Sequence, residues 1–256
     1  MRFELLGSLR VSGEKGDFTL SAPKIELLLA TLLVSHGRVV SKEQLLMELW
    51  GEHPPRQAPT ALHVYISQLR KLLATAGARA DIIITRSPGY HLKVQDGELD
   101  LNDFQSLSAR GRTHLAAHRY EETITDLESA LSLYRAPVLE GMGEGPILSG
   151  VATWAEEERL ACQELSINAH IALGRHREVT GLLASLTTRY PLREEFYGQL
   201  MLALYRGERQ VEALQVYQTA RASLRAELDL EPSAALRKLH HAILASDRQL
   251  QLPAAS

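Results

Sequence analysis

The spacing of apolar residues changes twice along the first hundred positions. Three short runs open the chain, RFELLG, LRVSG and DFTLS, each bounded by Gly or Ser, and they predict three strands. The period then becomes helical. In PKIELLLATLLVSHG, Ile25, Leu28, Leu29, Leu32 and Leu33 share a face, with Pro23 at the start and Gly37 at the end. SKEQLLMELWG follows, with Ser41 as N-cap, Gln44 at capping-box spacing and Gly51 as its stop. A Pro-rich connection, EHPPRQAP, leads into TALHVYISQLRKLL, Thr60 to Leu73, which Thr60 or the preceding turn caps. DIIITRSPGYHLKV returns to a strand period: Ile82 to Ile84 is β-branched, Tyr90, Leu92 and Val94 alternate, and RSPG is turn chemistry. A small sheet, three helices and a β-hairpin make a winged helix-turn-helix over residues 1–96, with the third helix as reader and the hairpin as wing.

QDGELDLND, Gln95 to Asp103, reads as a junction. From Phe104 onward the pattern is helical and strand signals vanish. ALGRHREVTGLLASLTTRYP begins at Ala172 and ALYRGERQVEALQVYQTA at Ala203; Gly174 and Gly207 lie 33 residues apart, and Glu178 and Glu212 lie 34 apart. That is the period of tetratricopeptide-like helix pairs. AAHRYEETITDLESALSLY is an earlier, degenerate copy. In the clearest unit, Leu200, Ala203 and Leu204 face a partner helix, against which Ala213, Leu214 and Tyr217 return. PVLEGMGEGPILSG, Pro137 to Gly150, reads as a long flexible connection. The fold class is mainly α: a winged helix over 1–96, an all-α tetratricopeptide-like domain over 97–247, and a tail over 248–256.

The reader helix has two faces. Wound at about 100° per residue, Leu62, Tyr65, Ile66, Leu69, Leu72 and Leu73 form a core stripe. Thr60, His63, Val64, Ser67, Arg70 and Lys71 fall opposite. A solvated helix face usually mixes both charge signs. This one carries short hydrogen-bonding side chains, positive charge at its C-terminal end and no acid. Short side chains allow the close approach that a DNA groove demands.

Charge sharpens the division. Residues 1–96 hold 12 Lys/Arg against 9 Asp/Glu, and residues 97–256 hold 16 against 22. A mildly basic module precedes an acidic one, as expected of a DNA-facing part joined to a protein-facing part. No run is apolar enough to span a membrane, and MRFELLGSLR is too charged for a signal peptide. The single cysteine, Cys162, excludes an internal disulfide, fits a reducing cytoplasm and reads as core filler. Chemistry motifs are missing: no GxSxG, no GxxxxGK[ST], no strand-linked GxGxxG. His240 and His241 are adjacent on a helical pattern, so their rings diverge and cannot grip one metal as i, i+4 ligands do. Glu156 to Glu158 read as acids at a helix start. No catalytic residue, cofactor or metal site is expected.

The motifs LLGSLRV, PKIELLLATLL, VVSKEQLLMELWGEHPP, ALHVYISQLRKLL and TRSPGYHL, followed by ELDLNDF, ALSLYR, ALGRHREV, YPLREEFYGQLMLALYRGERQVEALQVY and ELDLEPSAALRKLHHAIL, resemble the short form of the Streptomyces antibiotic regulatory proteins over residues 1 to about 247. The resemblance implies a response-regulator-type winged helix followed by a bacterial transcriptional activation domain. It implies a DNA-binding activator of secondary-metabolite (antibiotic) genes. Thr60, His63, Val64 and Ser67 would meet base edges in the major groove, and Trp50, Arg56, Arg70 and Lys71 would meet phosphates. Arg86 would enter the minor groove from the wing. Ser67 and Gln68 stand where the wider family often carries basic residues. The expected partners are double-stranded promoter DNA with direct repeats, RNA polymerase with its sigma factor, and a second protomer side by side; the expected location is the cytoplasm, on the nucleoid. No receiver domain precedes the first helix, so protein level or partners would set activity. The competing reading is a tetratricopeptide-like interaction scaffold whose winged helix does not bind DNA.

Overall fold

A computed structural model describes residues 1–13, 16–18, 20, 22–142 and 145–251. Its element order is β1 (Arg2–Glu4), β2 (Arg10–Gly13), β3 (Gly16–Phe18), α1 (Pro23–Val34), β4 (Val40–Ser41), α2 (Lys42–Trp50), α3 (Ala58–Thr75), β5 (Ile83–Arg86), β6 (Gly89–Leu92), α4 (Asp100–Ala116), α5 (Tyr120–Ser132), α6 (Pro146–Ala172), α7 (His176–Arg189), α8 (Glu194–Arg206), α9 (Gln210–Leu228) and α10 (Ala234–Leu244). The fold is mainly α, as the sequence predicts: a winged helix-turn-helix, then helices. The chain divides into two compact units. The first comprises Met1–Ala109 and Ser129–Leu160, the second Arg110–Glu128 and Ala161–Ser256.

In the first unit β1, β2 and β3 form an antiparallel sheet, with Phe3 opposite Val11 and Val11 opposite Phe18. Of the run DFTLS, Thr19 and Ser21 lie outside the described residues. A second sheet has the order β4-β6-β5. The two-residue strand β4 is absent from the sequence reading because Val40–Ser41 is too short to show a period. It explains Gly89: a Cβ there would lie 1.7 Å from the Val40 carbonyl oxygen, so only glycine lets β4 pair at this point. α1, α2 and α3 pack on one another, and α1 also meets β6. Ser41 accepts from Gln44 N at 3.1 Å while Gln44 Oε1 accepts from Ser41 N at 2.9 Å, completing the predicted capping box.

Five sequence expectations need correction here. The reader helix begins at Ala58 behind Gln57, with Pro59 in its first turn, so Thr60 lies inside the helix and caps nothing. Leu72 is 43% exposed, not core. Counting 100° per residue puts it about 80° from Leu62, whereas Ile66, Leu69 and Leu73 fall within about 40°. α4 starts at Asp100, inside the expected junction, and α6 starts at Pro146, so residues 146–150 are helical, not loop. Gly143 and Glu144 of that stretch lie outside the described residues. Because α6 starts so early, Glu156 to Glu158 sit well inside it and not at its start.

Two buried carboxylates secure this unit. Asp100, 3% exposed, accepts from Leu5 N through both oxygens at 2.8 and 2.9 Å and from Leu6 N at 3.0 Å. Glu48 of α2, 4% exposed, accepts from Ile147 N at 2.9 Å and Leu148 N at 3.0 Å, capping the orphan N–H groups at the start of the 27-residue α6.

In the second unit α7 packs on α8, α8 on α9, and α10 on both α8 and α9. Leu200, Ala203, Leu204, Ala213 and Tyr217 are buried, as the repeat predicts, and Cys162 is a fully buried thiol. The three helix pairs turn alike. Arg119 N donates to His114 O, Arg175 N to His170 O and Arg209 N to Leu204 O, each at 2.9 Å and each spanning five residues. The residue before each arginine, His118, Gly174 or Glu208, has φ of 56°, 78° or 64°. The degenerate first copy thus has the same turn geometry as the others.

Candidate nucleic-acid interface

α3 offers its exposed face between two anchored flanks. Leu62, Ile66, Leu69 and Leu73 are buried, which leaves Thr60, His63, Val64, Ser67, Gln68 and Lys71 exposed. Val64, 47% exposed, is an apolar position on this otherwise polar face. No acid lies on α3.

The flanks are held by polar and aromatic contacts. Trp50, at the end of α2, stacks on Tyr65 with ring centroids 5.9 Å apart, and Lys24 Nζ lies 5.8 Å over the Trp50 ring. Lys24 also donates to the Leu49 carbonyl. Trp50 is therefore half-buried between α1 and α3, with its indole packed. Arg56, in the connection before α3, is exposed.

Sequence reasoning sends Arg70 to a phosphate. The structure places its guanidinium on the wing: Nε and Nη2 donate to the Ile83 carbonyl at 3.1 and 2.9 Å, and Nη2 reaches Thr85 Oγ1 at 3.0 Å. Arg70 thereby ties α3 to β5. Periodicity could not reveal this, because the partner is a backbone oxygen 13 residues away. Lys71, the next residue, stays exposed.

A second tie was not visible in the sequence either. Tyr90 of β6 is buried, and its hydroxyl lies 2.9 Å from His63 Nδ1. Burial raises the Tyr90 pKa above its ordinary value, against the pull of the Arg70 charge, so the phenol stays protonated. In the arrangement where that hydroxyl donates, Nδ1 of His63 accepts, Nε2 carries the ring proton and His63 presents an N–H donor on the exposed face; in the reverse one Nδ1 donates to the phenol oxygen. Arg86 sits at the hairpin turn, paired in the ladder with Gly89 and with its side chain exposed. The hairpin tip is Ser87–Pro88, joined by a cis peptide bond. The structure thus brings Thr60, His63, Val64, Ser67 and Lys71 onto one helix and gathers Arg86 on the hairpin tied to it, while Trp50 and Arg70 are largely committed to packing and positioning.

His240 and His241 do diverge, with ring centroids 5.7 Å apart, and His240 stacks on Tyr217 at 3.9 Å. Among the described residues no group of three His, Cys, Asp or Glu could hold a metal ion, and no helix is long and apolar enough to cross a membrane.

Comparison with known proteins places these features in a family. Residues 17–92 match the model described as "Transcriptional regulatory protein, C terminal", and residues 99–244 match "Bacterial transcriptional activator domain". The transcriptional regulatory protein EmbR of Mycobacterium bovis is 33% identical over 243 residues, covering 94% of this chain. The chain spans only 63% of that relative's length. The transcriptional regulator RedD of Streptomyces coelicolor is 35% identical over 258 residues, covering 100% of this chain and 73% of RedD. The regulatory protein AfsR of Streptomyces griseus is 34% identical over 99% of this chain and 26% of its own. A solved structure of Mycobacterium tuberculosis EmbR in complex with a low-affinity phosphopeptide superposes with a TM-score of 0.92 at 32% identity, covering 99% of this chain and 66% of that one. With a winged helix and an activator domain matched in order, and with RedD and AfsR among its relatives, the chain belongs to the Streptomyces antibiotic regulatory protein family of transcriptional regulators.

Proposed function

We propose that the chain is a sequence-specific activator that binds direct repeats in promoters of secondary-metabolite genes and recruits RNA polymerase, including its sigma factor. Its parts are a DNA-binding module over residues 1–96, an activation domain over 97–247 and a short tail. It works without a cofactor or an active site, in the cytoplasm and on the nucleoid. The carrying observation is the acid-free exposed face of α3 beside an exposed wing arginine, with Arg70 tying helix to hairpin.

Thr60, His63, Val64 and Ser67 read base edges. The Nε2–H of His63 suits an acceptor such as guanine O6 or thymine O4, and Val64 suits a thymine methyl. Lys71 and Arg56 meet phosphates, which fix register without reading sequence. Trp50 adds a phosphate contact at the edge of its packed ring. Arg70 acts by holding the wing beside the helix. Arg86 enters a minor groove, where a narrow A·T-rich step strengthens the negative potential. One such module buries only about 600–1,000 Å² on DNA. Two protomers side by side on repeats about 10–11 bp apart would gain affinity through effective concentration.

The test is Arg86→Ala in a gel-shift assay on DNA upstream of the neighbouring genes, with footprinting to locate the repeats. Affinity should fall about tenfold while the circular dichroism spectrum stays unchanged. An unmoved affinity overturns the wing assignment, and an absence of salt-dependent shift overturns DNA binding itself.

A further inference from the structure

The outward direction of α3 follows from its buried side. Counting about 100° per residue from Thr60, the buried Leu62, Ile66, Leu69 and Leu73 centre on about 210°, so the helix faces out at about 30°. Lys71, Val64 and Thr60 lie within about 30° of that direction, and Ser67 and Gln68 lie about 50° from it, one on each side. His63 is about 90° away, on the flank that the hairpin holds. Gln68 is on the other flank, three residues after the Tyr65 ring that stacks on Trp50. It therefore stands nearer the centre of the exposed face than His63 does, and the anchored hairpin leaves it open.

The chemistry of this face singles the glutamine out. Thr60 and Ser67 carry hydroxyls, which donate or accept with little preference among bases. Val64 has no polar side-chain atom, and Lys71 is a point charge suited to phosphate. Gln68 alone among these five holds an amide donor and a carbonyl acceptor side by side in one plane. It is exposed, and its side-chain amide has no partner among the described residues. No acid lies on the helix to compete for the amide protons. In the major groove, adenine is the base that presents a donor, its N6 amino group, beside an acceptor, N7, and a glutamine amide meets both at once. Val64, one turn earlier on the same side, adds a surface for a thymine methyl.

We infer that Gln68 is a specificity-determining residue that reads adenine through N6 and N7, so that each half-site carries an A·T pair facing the middle of α3. The inference rests on the DNA-binding reading above and goes beyond it by naming the base.

The test is binding-site selection with the full chain, which should enrich a repeat with a fixed adenine. Gln68→Ala should lose that preference at one position of each half-site and keep the others, with affinity for the selected site about tenfold lower. Gln68→Arg should exchange the adenine for guanine. Replacing that adenine by 7-deazaadenine, which lacks the N7 acceptor, should weaken the wild-type chain about fivefold and leave Gln68→Ala unaffected. Both substitutions put a strong helix former at an exposed site, and circular dichroism checks the fold. A selection in which the wild type enriches no site overturns the DNA-binding reading, and this inference with it. An enriched site whose preferences all survive Gln68→Ala overturns the inference alone. So does weakening that is uniform over random DNA, which assigns the amide to a phosphate, and so does relaxation at a G·C position.

Discussion

Replacing Glu48 by alanine removes the cap of a 27-residue helix from the opposite end of a buried contact. The magnitude follows from the geometry. Two backbone N–H groups at 2.9 and 3.0 Å lose a charged acceptor, and the site is too buried for water to replace it freely. A hydrogen bond to a charged group contributes about 1.5–3 kcal/mol, so two of them, less what relaxation recovers, give a loss of about 3–5 kcal/mol. For a chain of this size each kcal/mol moves the melting temperature by about 2–4 °C, so a drop on the order of 10 °C is expected. Glu48→Gln keeps one acceptor oxygen and should lose about half as much. The same reasoning predicts a coupling. A Cβ at Gly145 would lie 2.1 Å from Glu48 Cδ and 2.2 and 2.6 Å from its two oxygens, so Gly145→Ala should dislodge the carboxylate and cost about 2 kcal/mol or more. Once Glu48 is alanine the added methyl has room, and the double variant should be no less stable than Glu48→Ala alone. Urea unfolding followed by far-ultraviolet circular dichroism measures all four proteins. A Glu48→Ala loss under about 0.5 kcal/mol, the range of an ordinary surface change, refutes the cap, and strictly additive single losses refute the contact with Gly145.

Lys71→Ala should lower the slope of log affinity against log salt by about 1, the signature of one lost phosphate contact. Arg70→Ala should instead weaken binding through a loosened wing, with faster amide exchange at Ile83 to Arg86; equal slopes in the two variants would erase the distinction. Tyr90→Phe leaves the fold in place but frees His63 to change tautomer, so base preference should relax at one operator position in a binding-site selection, and an unaltered selection would sever His63 from readout. Burial, then the Arg177 and Arg206 charges, hold His176 below the ordinary histidine pKa. A depressed folded value means that its contribution to stability is complete above the unfolded pKa, about 6.5, and is lost as pH falls through the folded one. His176→Gln should therefore narrow the gap between the urea midpoints at pH 7.5 and pH 5, and an unchanged gap would clear His176 of any part in it.

Much of this molecule can be read from its sequence, because the informative signals are local. Pro23, the Ser41–Gln44 box and the 33- and 34-residue spacings in the helical region each act within a turn or a repeat, and the helices follow them. What escapes is what depends on a distant partner. Nothing near Arg70 announces the Ile83 carbonyl, nothing near Glu48 announces the N–H groups of Ile147 and Leu148, and nothing near Gly89 announces the backbone of Val40. The miss at Leu72 has another cause. Its residue type is apolar and its angle is marginal, so hydrophobicity alone put it in the core while the geometry of α3 left it 43% exposed. The same limit applies to the interface: the polar face of α3 was legible residue by residue, but its attachment to the hairpin through Arg70, and through His63 to Tyr90, was not.

That attachment limits how operators can vary if α3 and the hairpin are the DNA-binding elements. With Arg70 and the His63–Tyr90 pair bolting one to the other, the hairpin cannot swing to follow an altered site. An extra base pair inserted between the segment met by the helix and the segment met by Arg86 would shift the second by about 3.4 Å along the duplex axis. Within one half-site the distance between the two contacts is thus fixed by the protein, and only the gap between successive half-sites is left for evolution to adjust.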